Sequence, residues 1–137
     1  MALEVHVVTP EREVWAGEAR LLLARGVDGE VGVMGGHAPL LVRLDVGPLR
    51  VQADGGADQV IVIDGGFLHV SSDEGATRAD VLADAAELAS EVDVAAARQR
   101  ADDVRRRLEA GDGFEAADRE RLQRELKKAN IRLAVAG

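Results

Sequence analysis

A chain of 137 residues with 47% apolar side chains can bury one ordinary core, or a small core with an appendage, and its net charge of −8 argues against nucleic-acid binding. Aromatics make up 2% and tyrosine is absent, so the core must come from Val, Leu, Ile and Ala, and modules that stack bases are disfavoured. Cysteine is absent, which removes disulfides, thiolate metal sites and cysteine nucleophiles together.

The N-terminal part reads as β. Leu3, Val5 and Val7 alternate with Glu4 and His6, the period of two of a half-buried strand. Thr9-Pro10 ends that run. Further short strands are predicted at 12–15 (ending near Gly17), 19–24, 30–34, 40–42, 47–53, 59–63, 67–70 and 76–82. Between them stand Asp28-Gly29, Gly35-Gly36, Gly47-Pro48, Asp54-Gly55-Gly56, Asp64-Gly65-Gly66 and Asp73-Glu74-Gly75, all turn chemistry. About nine or ten short strands at this spacing predict a β-sandwich or barrel.

The C-terminal part reads as two helices. Ser90 is a candidate N-cap, with Asp93 three residues on. Val94, Ala97, Ala101, Val104 and Leu108 then recur at helical spacing until Gly111-Asp112-Gly113. Asp112 and Glu115 offer a second capping box, and Leu122, Leu126, Ala129 and Leu133 form the next stripe. A short glycine loop between two helices predicts an antiparallel hairpin. Its seam is rich in alanine, which buries little area, so a hairpin marginal on its own is expected. The domains expected are a sandwich over 1–86 and a linker plus hairpin over 87–137.

Charge divides along the same line. Residues 1–90 hold six arginines and 15 acids, a net −9, while residues 91–137 hold 11 basic and 10 acidic side chains, a net +1. Arg121, Arg124, Lys128 and Arg132 fall at spacings that place them on one helix face. Such a face is either solvated and laced with Glu–Arg pairs or aimed at an acidic partner, and the residues alone leave both open.

No catalytic constellation stands out. The glycine-rich stretch 28–41 lacks the Gly-Lys-Ser/Thr of a phosphate loop. No Gly-x-Ser-x-Gly elbow surrounds any serine, which leaves a small hydrolase remote. His6, His37 and His69 have no metal-ligand spacing, so no metal is expected. No apolar run nears the roughly 18 residues of a membrane span.

Three blocks carry a family resemblance: Val7-Val8-Thr9-Pro10-Glu11-Arg12, Gly29-Glu30-Val31-Gly32-Val33-Met34-Gly35-Gly36-His37-Ala38-Pro39-Leu40-Leu41, and Gly65-Gly66-Phe67-Leu68-His69-Val70. They resemble the epsilon subunits of bacterial F-type ATP synthases, and the resemblance runs along the whole chain. It implies an N-terminal β-sandwich of about ten strands followed by a C-terminal antiparallel two-helix hairpin. It also implies a non-catalytic subunit of the central stalk. The sandwich would hold the gamma subunit and sit on the c-subunit ring, coupling rotation to the catalytic head from the cytoplasmic face of the membrane, as a peripheral component. Glu30 matches the position that faces the polar loops of the c ring, and Met34 and His37 share its turn.

In bacterial relatives of this kind the hairpin can extend into the head and block ATP hydrolysis. There its basic second helix meets acidic segments of the alpha and beta subunits. Arg121, Arg124, Lys127, Lys128 and Arg132 are the corresponding residues here. Some members bind ATP through Ile/Leu-Asp-x-x-Arg-Ala. Here the stretch is Val92-Asp93-Val94-Ala95-Ala96-Ala97, so Asp93 and Ala97 match while Ala96 takes the arginine position. Arg98 comes two residues late, about 200° round a helix, and does not replace it. Weak or absent ATP binding and no cofactor are therefore expected. The alternative reading is a nucleotide-sensing module that clamps ATP in the hairpin.

Overall fold

A computed structural model describes residues 2–111 and 115–136. The chain divides into two compact units between Leu88 and Ala89.

The first unit holds nine strands: β1 (Leu3–Val8), β2 (Glu13–Gly26), β3 (Gly29–Val33), β4 (Leu40–Leu44), β5 (Gly47–Ala53), β6 (Gln59–Ile63), β7 (Gly66–Asp73), β8 (Ala76–Ala83) and β9 (Ala86–Leu88). The hydrogen-bonded path runs β1-β8-β7-β4-β2-β5-β6-β9, with β3 on β2 and a second pairing of β1 with β2. β1 and β8 run parallel, and the other pairings are antiparallel. This is the β-sandwich expected, with nine strands.

Alternation in the sequence becomes sidedness in the sheet. Leu3, Val5 and Val7 of β1 point inward with Leu22 and Ala24 of β2, Val33 of β3, Leu49 and Val51 of β5, Ile61 and Ile63 of β6, Leu68 and Val70 of β7, and Ala79 and Val81 of β8. Burying each larger aliphatic side chain stabilises the fold by about 1.5–3 kcal/mol relative to leaving it in water.

Several strands run one to three residues beyond or short of the bounds expected, and two differences are larger. The strands expected at 12–15 and 19–24 are one strand, β2, of 14 residues. Gly17 does not end a strand. A Cβ there would lie 3.0 Å from the Trp15 ring, so the glycine makes room for the indole within the strand. A register shift between Ala19 and Leu21 then lets β2 pass from its pairing with β1 to its pairing with β5. The second difference is β9. Glu87 and Leu88, expected in a linker, pair with Val62 and Ile61 of β6 and extend the sheet past residue 86.

The second unit begins with a 3₁₀ turn, Ala89–Glu91, followed by α1 (Val94–Ala110) and α2 (Ala116–Ala136). Asp93, not Ser90, caps α1: its side chain accepts the Ala96 N–H at 3.0 Å. Ser90 lies within the 3₁₀ turn instead. Gly111 closes the helix, its N–H donating to the Arg107 carbonyl. The capping box expected from Asp112 falls outside the described residues. Within the hairpin, Ala97, Ala101 and Val104 of α1 and Leu122 and Ala129 of α2 are buried. Val94 is exposed, while Leu108, Leu126 and Leu133 are half-buried, so the seam is narrower than the periodic stripes suggest.

Candidate docking surfaces

β3 ends at Val33, and the chain turns before β4 begins at Leu40. The His37 N–H donates to the Met34 carbonyl at 3.1 Å, closing a four-residue turn. Gly36 sits at its third position with φ of 88°, a left-handed conformation that glycine adopts at no steric cost. The turn leaves Met34 57% exposed. His37 is half-buried, with Nδ1 2.7 Å from the Ala38 carbonyl oxygen. Glu30 is exposed on β3, in register with Arg25 of β2. These three residues, singled out in the sequence, lie on one strand and the turn that follows it. A cleft of about 250 Å3 opens beside the turn, lined by Met34 and Gly35 together with Glu18, Arg20 and Asp54.

A second surface was not singled out in the sequence. Phe67 of β7 stands opposite Leu82 of β8, and both face outward, 47% and 54% exposed. Leu41 of β4 is 67% exposed and pairs with His69, one step diagonal from Phe67. Half-buried Val8 of β1 pairs with Leu82 and continues the row. Large apolar side chains gathered on one sheet face make this a candidate interaction surface. The signal was present as the outward members of three alternating strands, but only the pairing register brings them together.

On the same side of β1, His6 lies between two carboxylates. Its Nε2 is 2.8 Å from Glu4 and its Nδ1 3.2 Å from Glu13 of β2. The hydrogen bond to Glu4 chiefly holds the His6 pKa above its ordinary value; Glu13 adds to this, while burial and Arg78 oppose it. Among the described residues no group of three His, Asp or Glu side chains is placed to hold a metal ion.

On the hairpin, Arg121 is exposed and lies 3.6 Å from Asp118. Arg124 and Lys127 are exposed, and Lys128 and Arg132 half-buried. Arg121, Arg124, Lys128 and Arg132 flank the buried Leu122–Ala129 stripe on one side, and Lys127 stands about 100° further round α2. Arg100 joins the two helices through Glu125 at 2.5 Å. Both side chains are substantially exposed, so that pair contributes at most about 1 kcal/mol. The ATP-motif positions have structural work: Asp93 caps α1, and Ala97 is fully buried. Ala96 is exposed and offers no side-chain polar group.

Residues 2–89 match the family model described as the β-sandwich domain of the ATP synthase delta/epsilon chain. This chain belongs to the ATP synthase epsilon-chain family. It is 38% identical over 102 residues to the ATP synthase epsilon chain of Streptomyces coelicolor, covering 73% of this chain and 79% of that one. With the epsilon chain of Halalkalibacterium halodurans it shares 36% identity over 135 residues, covering 98% and 97%. The fold is also similar to a chain in the Euglena gracilis mitochondrial ATP synthase structure of OSCP, F1 and c-ring, with a TM-score of 0.81, 23% identity, and coverage of 99% and 82%. Family membership makes this a non-catalytic subunit of ATP synthase, as the missing catalytic motifs suggested. Among the described residues no helix is long and apolar enough to cross a membrane.

Proposed function

We propose that the sandwich is the docking body of the central stalk, joining the gamma subunit to the c-subunit ring, and that the hairpin restrains ATP hydrolysis in the catalytic head. The observation that carries the first part is the pair of exposed surfaces on one rigid sandwich. The row Leu41, Phe67 and Leu82 is apolar and fits a broad protein partner such as gamma. The Met34–His37 turn with Glu30 is small, mixed and projecting, and fits the polar loops of the c ring. On this reading the subunit stays peripheral, at the cytoplasmic face of the membrane, held there through the complex. The basic face of α2 fits acidic segments of the alpha and beta subunits by charge.

The nucleotide-clamp alternative draws no support from the hairpin. The Asp93 carboxylate already caps α1, and Ala96 cannot replace a phosphate-binding arginine. Capture of the purified gamma subunit tests the docking body. Phe67→Asp places a charge in the centre of the apolar row, and at least a tenfold loss of gamma affinity is expected, the equivalent of about 1.4 kcal/mol. Unchanged affinity in a folded variant removes this surface from the interface. For the hairpin, deleting residues 91–137 is expected to raise ATP hydrolysis by the assembled enzyme, and an unchanged rate rejects restraint.

A further inference from the structure

Thr77 is the first inward-facing residue of β8, in register with Leu3 of β1 and Ser72 of β7. It is fully buried, in a line that continues with Ala79, Val81 and Ala83. A valine would fill the same volume, and burying a hydroxyl costs free energy unless it is hydrogen-bonded. Here it is bonded: Thr77 Oγ1 accepts the Gly36 N–H at 2.7 Å. Thr77 is itself tethered, its own N–H donating to the Ala2 carbonyl at 3.2 Å. The turn's internal bond uses the His37 N–H and the Met34 carbonyl, which leaves the Gly36 N–H to this partner 41 residues away.

The segment from Met34 to Pro39 lies between the end of β3 and the start of β4, outside both strands. Its bond to Thr77 ties that turn to β8, a strand that pairs with neither β3 nor β4. We infer that Thr77 is a positioning residue for rotor docking: its hydroxyl fixes the height and tilt at which Met34 and His37 are presented. The inference rests on the proposed docking of this turn to the c ring. It adds the residue that ties the turn to β8 and so holds it against the force of docking.

The test uses Thr77→Val, which keeps the shape and removes the acceptor, and Thr77→Ser, which keeps the acceptor. In the isolated chain, exchange of the Gly36 amide is expected to speed up about tenfold in Thr77→Val and to return toward the parent rate in Thr77→Ser. In membrane vesicles carrying the assembled enzyme, Thr77→Val is expected to lower proton pumping per ATP hydrolysed, again with recovery in Thr77→Ser. A merely structural threonine would lower the unfolding midpoint and leave pumping per ATP unmoved. Met34→Asp separates the two ideas. If Met34→Asp uncouples pumping but Thr77→Val does not, positioning by Thr77 is overturned while docking by the turn stands. If Met34→Asp is also silent, docking of this turn fails, and the role of Thr77 fails with it. Unchanged Gly36 exchange in Thr77→Val overturns the anchor directly. Should Thr77→Val not fold, Thr77→Cys, with its weaker acceptor, is read by the same two measurements.

Discussion

The sandwich and the hairpin are built from different stock. Leu3, Leu22, Leu49, Ile61 and Leu68 lie fully buried in the sandwich, supported by buried valines on several strands. Among its described residues the hairpin buries three alanines, one valine and one leucine. An alanine seam brings helices close but removes little apolar area from water. The first unit therefore has more apolar burial to hold its shape than the second.

The largest effect that tests this contrast is in the cores. Leu22→Ala is expected to destabilise the sandwich by about 2–5 kcal/mol in urea unfolding. Leu122→Ala is expected to reduce helical signal while amide protection in β5 and β6 stays at the parent level. Equal loss of sandwich protection in Leu122→Ala would break the comparison, because the two units would then unfold as one. A smaller effect belongs to the cap. Asp93→Ala removes the side-chain acceptor for the Ala96 N–H and is expected to cost the hairpin about 1 kcal/mol, read as faster exchange in the first turn of α1. Faster exchange spread evenly over both helices would show that the hairpin melts as a whole.

The smallest effect is pH-dependent and confined to the sandwich. The Glu4 hydrogen bond, assisted by Glu13, raises the His6 pKa above 6.5. The charged imidazole therefore stabilises the folded state fully below about pH 6.5, the unfolded value, and that contribution is lost as pH rises through the higher folded value. The stability difference between the parent and His6→Gln is thus expected to shrink as pH rises above about 6.5 and through the higher folded value. A constant difference would mean that packing, not charge, accounts for His6.

Most strands were legible because alternation and turn residues agree locally, as in Leu3 to Val7 and in Gly35-Gly36. β9 was not, since Ala86, Glu87 and Leu88 carry no β-branched residue and no alternation long enough to read. Only their pairing with β6 makes them a strand. Gly17 misled because a glycine that relieves a ring contact looks the same in sequence as one that makes a turn. Of the candidate docking surfaces, the Glu30–Met34–His37 group is contiguous in the chain and could be named from its motif. The Leu41–Phe67–Leu82 row depends on how β4, β7 and β8 are aligned, and the Thr77–Gly36 bond spans 41 residues. Neither is visible without the pairing.

The indole seated over Gly17 has an optical consequence. Trp15 is the chain's one tryptophan, tyrosine is absent, and the ring packs partly buried against the sandwich core. Intrinsic emission thus originates from β2 alone, while the hairpin, with neither chromophore, is dark. The protein thus carries its own label on the sandwich, and the unfolding of the two units can be told apart by pairing this emission with the helical signal.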